Sequence, residues 1–294
     1  MTTPSSDRTS DLPLRLFGTH SRHWRDNLYV YPVISRRAAG LSIGVNLNPD
    51  KACNFDCIYC QVDRSQPSQV RKVDLDVLRS ELRHMVGLAA SGELWADPYF
   101  AHVPQAYRHF RDIAFSGDGE PTASPQFLDA VRIAAETRLL HGLDAVRIVL
   151  ITDAAWLDRP RVVQALEILD QSNGEVWAKL DAGTEEYFRL VNRPNVPLAR
   201  VLDNILQTAR RRPIVIQSLW MRIHEAPPPE TEVEAFAGRL AELVEAGAQI
   251  RLVQVYTIAR QTAEAYVAPL DEAALQVVAG RVRARAGVPA EVFG

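Results

Sequence analysis

Hydrophobic and polar positions along this chain follow two rhythms that take turns. Residues 41–48 switch between apolar and polar at nearly every step, as a strand with one buried face does. Leu75, Leu78, Leu82 and Met85 then recur at helical spacing and predict a helix over 74–90. Short apolar runs predict further strands at 113–116, 146–152, 176–181, 214–219 and 250–256. Amphipathic stretches at 125–140, 161–171, 198–211, 230–246 and 271–286 predict the helices between and after them. Six strands alternating with helices argue a parallel α/β structure. Residues 91–110 keep neither rhythm. They carry Trp95, Pro98, Tyr99, Phe100 and Pro104 and read as an irregular insertion, a candidate lid. Without internal repeats or a low-complexity linker, 27–294 reads as one domain behind a Ser/Thr-rich flexible tail, 1–26.

In parallel sheets and barrels, ligands sit at the C-terminal ends of the strands. The residues where the predicted strands stop are polar: Thr152 and Asp153, Lys179 and Asp181, Gln217 and Ser218, then Gln254, Tyr256 and Thr257. Arg222 and Arg260 lie just beyond. Any one of them reads equally well as a strand-end cap; the repetition points to a site. Lys179 and Asp181 stand two apart, so on a strand they share a face. A buried lysine–aspartate pair costs desolvation and is better explained by ligand binding than by stability. Lys179 is also a candidate Schiff-base amine. Ahead of the first strand, Ser35-Arg36-Arg37 joins Arg22, Arg25, Arg64, Arg71 and Lys72 in a basic N-terminal third. That charge suits a phosphate or carboxylate, or simply a solvated face.

Composition narrows the classes. Hydrophobic residues make up 47% of 294, enough for a substantial core. No run of 18 apolar residues predicts a membrane span, and the N-terminal stretch lacks the apolar region of a signal peptide. Three cysteines without a disulfide pattern fit a reducing cytoplasm. The net charge of −3, from 33 basic and 36 acidic residues, argues against a general nucleic-acid binder.

All three cysteines fall in one loop, Cys53-x-x-x-Cys57-x-x-Cys60. Three thiolates can hold three irons of a [4Fe–4S] cluster and leave the fourth iron open to a ligand. A structural zinc site would need a fourth ligand, and a thioredoxin-type pair would use only Cys57 and Cys60. Both alternatives stay open on spacing alone. The second motif, Phe115-Ser-Gly117-Asp118-Gly119-Glu120-Pro121-Thr122, follows a predicted strand. A Gly-x-Gly loop there lets backbone approach a ligand closely, because glycine has no Cβ and tolerates positive φ. By itself it is also compatible with an ordinary turn.

Together the cysteine loop, with Tyr59 before its last cysteine, and the later Gly-Asp-Gly-Glu-Pro resemble the signature of the radical SAM superfamily. The resemblance implies a partial (β/α)6 barrel with a mostly parallel open sheet. It implies a [4Fe–4S] cluster on Cys53, Cys57 and Cys60, and S-adenosylmethionine on its open iron. It places Tyr59, Gly117, Asp118, Gly119, Glu120, Thr152 and Gln217 around that cofactor, with Lys179 and Asp181 as candidate catalytic residues. It also implies an electron donor such as flavodoxin or ferredoxin. Ser35-Arg-Arg, Cys60-Gln61 and Lys179-Leu-Asp-Ala-Gly183 resemble the wyosine-synthase-related branch over residues 27–260. Characterised members of that branch modify a tRNA base and carry a second cluster with its own cysteines, for which this chain has none left. The substrate stays open among a small metabolite, a peptide and a nucleobase of tRNA.

Overall fold

The computed structural model describes residues 24–65, 67, 68 and 70–294. Arg22 and all but the last few residues of the expected tail lie outside them. The chain enters through a hairpin of β1 (Val30–Ser35) and β2 (Gly40–Val45), paired antiparallel. From β2 onward the main sheet is parallel. Helix α1 (Leu75–Ser91) leads to β3 (Phe110–Phe115), α2 (Phe127–Leu140) to β4 (Arg147–Thr152), and α3 (Pro160–Gln171) to β5 (Gly174–Lys179). Two helices, α4 (Glu185–Asn192) and α5 (Leu198–Arg211), precede β6 (Ile214–Leu219). A short β7 (Met221–Ile223) comes before α6 (Glu230–Glu245) and β8 (Ile250–Tyr256). Then come β9 (Val267–Pro269), paired antiparallel with β7, α7 (Glu272–Ala286) and β10 (Ala290–Phe293). The main sheet runs β1-β2-β3-β4-β5-β6-β8-β10 and curls into part of a barrel.

Alternation along the strands separates two apolar regions. In β3, Ile113 and Phe115 belong to the large core beneath the helices, while Ala114 joins Val149, Trp177 and Val215 in a smaller cluster inside the curl. Phe115 meets Phe127 of α2 edge-on at 5.7 Å. Asp74 and Asp271 cap α1 and α7 by accepting backbone N–H bonds from the first turn. Caps of this kind contribute about 1 kcal/mol each. None of the described helices is long and apolar enough to cross a membrane.

The six predicted parallel strands are present, β2, β3, β4, β5, β6 and β8. The sheet also has two outer strands that periodicity does not disclose. Pro32 interrupts β1, which a proline permits at an edge because no ladder N–H is needed there. At the other edge, β10 has only four residues. Strand β5 stops at Lys179, so Asp181 lies just past it rather than within it. The irregular stretch after α1 is built of three short 3₁₀ turns around buried Leu94 and Phe100. Trp24, Trp95 and Tyr99 surround Phe100 at 5.0–5.8 Å.

Candidate cofactor and substrate site

A cavity of about 310 Å³ opens at the C-terminal ends of the strands. Cys53, Cys57 and Cys60 line it, as do Tyr59, Gly117, Asp118, Gly119, Glu120, Thr152, Lys179, Asp181 and Gln217. Asp153, Tyr256, Thr257, Arg260, Arg36 and Arg37 share the wall. Residues 91–109 contribute nothing to it, so the aromatics of that stretch form local core away from the site. Arg222 is outside the lining and faces Asp271 at 3.4 Å.

The cysteine loop, between β2 and α1, is held from below by α4. Asp56 and Ile58 donate backbone N–H bonds to the carbonyls of Asn192 (3.2 Å) and Val191 (3.0 Å), and Phe55 packs edge-on against Phe188 at 5.5 Å. Helix α4 forms because Thr184 caps it, Glu185 and Glu186 occupy its first turn, and Tyr187, Phe188 and Val191 fall on its buried face. Across the loop, Ala263 donates its N–H to the Cys60 carbonyl at 2.9 Å.

The Gly-Asp-Gly loop interlocks with this arrangement. Asn46 donates Nδ2–H to Asp118 Oδ2 at 2.7 Å and accepts the Asp118 N–H at 3.2 Å. A Cβ on Gly117 would lie 2.4 Å from Asn46 Oδ1, and one on Gly119 only 2.0 Å from the Ala52 carbonyl. Neither glycine has positive φ. The glycines are therefore required for close approach, not for a left-handed turn: Asn46 crowds Gly117, and the backbone leading into the cysteines crowds Gly119.

The thiols are unbridged; Cys53 is exposed and the other two half-buried. Cys57 Sγ accepts Asn192 Nδ2–H at 3.5 Å, and Cys60 Sγ accepts an Arg64 guanidinium N–H at 3.3 Å. Burial pushes the Cys57 thiol up to about 12. Among the described residues, no three His, Cys, Asp or Glu side chains form a group suited to one metal ion. A cluster makes a different demand, since each thiolate takes its own iron, and three sulfurs on one cavity wall fit that donor set. Three buried oxygens in the same wall, Gln217 Oε1, Asn192 Oδ1 and Asp153 Oδ2, have no hydrogen-bond partner. Buried polar atoms are rarely left unmatched, so these mark a place for a ligand's donors.

The acidic residues are held by neutral donors and one ammonium group. Glu120 accepts from Thr152 Oγ1 (2.7 Å), the Thr122 N–H (3.0 Å) and the Asp153 N–H (2.8 Å). Burial still leaves its carboxyl above the usual range despite those bonds. Asp153 is raised well above that range by burial and by Glu120 beside it. Asp181 accepts from the Tyr59 hydroxyl, from Asn192 Nδ2 at 3.0 Å and from the Leu219 N–H at 2.8 Å, with Lys179 Nζ at 3.4 Å. The Tyr59 hydroxyl is thereby tied to Asp181, while its ring faces Lys179 Nζ at 5.0 Å. Lys179 also donates to the Tyr256 hydroxyl at 2.9 Å. Burial alone would lower the lysine, but Asp181 and Tyr256 outweigh it and hold it above its ordinary value. Lys179 is thus held on the cavity wall between an acid and a hydroxyl. Elsewhere, Gln217 Nε2 donates to Gln254 Oε1 at 2.8 Å, and Thr257 links the Trp220 carbonyl to the Leu270 N–H. Sequence reasoning missed Asn192, which joins Cys57, Tyr59 and Asp181. The Thr184-Glu-Glu start of α4 was the available signal.

No family model matches the chain. A UPF0026 protein of Methanocaldococcus jannaschii is 30% identical over 180 residues, covering 60% of this chain and 46% of its own. A UPF0026 protein of Helicobacter pylori is 26% identical over 184 residues, covering 60% and 50%. The chain thus spans about half the length of these curated relatives. Among solved structures, native anSMEcpe with bound AdoMet aligns at a TM-score of 0.52 and 14% identity, over 85% of this chain and 63% of that one. A TYW1 structure with a lysine–pyruvate adduct bound aligns at 0.48 and 12%, over 93% and 80%. The likeness to native anSMEcpe with bound AdoMet is one of fold. The resemblance carried by the two motifs extends to the fold.

Proposed function

We propose that this chain is a radical SAM enzyme acting on a small molecule or peptide. One observation carries the reading: the cysteine loop and the Gly-Asp-Gly-Glu loop are packed so closely that Gly119 has no room for a Cβ, and both face one cavity of about 310 Å³. The two halves of the superfamily signature, about sixty residues apart in sequence, thus form a single wall.

Cys53, Cys57 and Cys60 would hold the cluster. Gly117, Asp118 and Gly119 would offer backbone and carboxylate to the cofactor's methionine end, with Glu120 fixing the turn through Thr152 and Asp153. A [4Fe–4S] cluster bound there would supply the electron for reductive cleavage of S-adenosylmethionine, and thereby radical hydrogen abstraction. The protein holds the reacting groups and excludes water. Tyr59, tied to Asp181, fixes the cysteine loop against β5, and Lys179 presents a positive charge to the cavity. The electron comes from a flavodoxin- or ferredoxin-type donor. The cavity size and a net charge of −3 favour a small substrate over a folded tRNA.

Anaerobic reconstitution with iron and sulfide, reduction, addition of S-adenosylmethionine and mass-spectrometric detection of 5′-deoxyadenosine test this. The product is expected with the native chain and absent with Cys57→Ala. Zinc bound in place of iron and sulfide, or a reconstituted cluster that never cleaves the cofactor, overturns the assignment.

A further inference from the structure

The turn joining β1 to β2 places two arginines in the cavity wall, and the reading above leaves them without a task. Arg36 donates to the Gly294 carbonyl, bringing the turn across to the last strand of the sheet. Arg37 extends over the ring of Tyr256 in β8, its guanidinium carbon 4.7 Å from the ring centroid. Among the described residues, the Arg37 guanidinium makes no hydrogen bond and no ion pair. Its five N–H donors are held in place by stacking and remain unspent.

Tyr256 serves a second cation as well. Lys179 Nζ lies 5.4 Å from the same ring centroid and donates to the Tyr256 hydroxyl. One aromatic residue therefore positions a planar, forked donor and a compact ammonium group on the same cavity. The cavity's acids do not cancel them completely. Asp112 is the carboxylate that acts on Arg37, but it is engaged by Ser42 Oγ and by Arg147 at 3.4 Å. Asp181 takes three hydrogen bonds besides Lys179, and Glu120 is occupied by hydroxyl and amide donors. A half-buried guanidinium with open donors, sharing the Tyr256 ring with the Lys179 amino group, suits an oxyanion. Arginine's fork matches the two oxygens of a carboxylate or phosphate.

We propose that Arg37, Lys179 and Tyr256 form an oxyanion subsite that takes the carboxylate or phosphate group of the substrate. Calling its occupant the substrate rests on the radical SAM reading; the subsite itself does not.

The test is calorimetric titration of the reconstituted full chain with inorganic phosphate and, separately, with malonate. Saturable binding of at least one ion is expected, weakened on the order of tenfold or more by Arg37→Gln. The ion that binds more tightly assigns the group, a phosphate ester or a carboxylate. Tyr256→Phe keeps the ring under Arg37 but removes the hydroxyl that fixes Lys179, and a few-fold loss is expected. It provides a second reading should Arg37→Gln fail to fold. Saturating S-adenosylmethionine should leave the affinity unchanged. No saturable binding of either ion, unchanged affinity in the variants, or displacement by S-adenosylmethionine each overturns the subsite. Formation of 5′-deoxyadenosine, measured in parallel, separates the two failures. Anion binding lost while cleavage persists rejects the subsite alone. Cleavage absent while anion binding persists rejects the enzyme assignment alone.

Discussion

The two ends of the barrel interior bury acid in opposite ways. At the N-terminal end of the strands, Asp112 and Glu175 share Arg147 at 3.4 Å, and Arg251 and the Trp177 indole N–H both reach Glu175 at 2.9 Å. None of those side chains has an unmatched buried polar atom. At the C-terminal end, Glu120 and Asp153 make no ion pair among the described residues, and Gln217 Oε1 and Asn192 Oδ1 lack any partner. A polar network that closes on itself is part of the scaffold. One left partly unmatched is held in readiness for something that binds.

The largest expected effect tests how far stability resides at the C-terminal end. Asp181→Ala removes the acceptor shared by the buried Tyr59 hydroxyl and half-buried Lys179, leaving Lys179 only the Tyr256 hydroxyl, and breaking a buried pair in this way costs about 3–5 kcal/mol. Chemical denaturation measures it; a loss below about 1 kcal/mol would mean that this end contributes little to the fold. Asp112→Asn examines the other end through pH. Burial raises Asp112 from 3.8 to about 6, so the folded state binds its proton more tightly than the unfolded state. Asp112 therefore costs nothing below pH 4 and progressively destabilises the fold as pH rises to about 6, by roughly 3 kcal/mol in all. The asparagine variant should lose that decline, so its stability relative to the native chain should improve from pH 4 to pH 7. An unchanged difference across that range would refute the shift. Gly119→Ala is the smallest in stability, about 1–3 kcal/mol for overpacking. It should nonetheless suppress 5′-deoxyadenosine formation, because the new Cβ pushes on the Ala52 carbonyl that leads into the cysteines. Full turnover in this variant would show that the two loops need not touch.

The strands that build the cavity were legible because their runs are long, apolar and end in polar residues. The edges were not. Pro32 hides β1, and the four residues of β10 carry too little periodicity to stand out. Lys179 and Asp181 were legible as a pair from their spacing of two. Their partners were not, because Tyr59, Asn192, Leu219 and Tyr256 come from four other segments. The glycines of the second motif were recognised for the right property, small size, but the neighbour they accommodate is protein rather than ligand. Arg37 was visible as charge suited to an anion and as part of the Ser35-Arg-Arg motif, but nothing in sequence places it over Tyr256.

The sheet has two ends that never meet, β1 on one side and β10 on the other. A closed ring would admit molecules only through its mouth and would limit them by its diameter. Here Tyr31, Val33 and Arg36, on and just beyond β1, also line the cavity, so it reaches the open side of the curl. The turn of Arg36 and Arg37 crosses that open side, with Arg36 donating to the Gly294 carbonyl. A long molecule entering on that side can place one end in the cavity and leave the remainder outside.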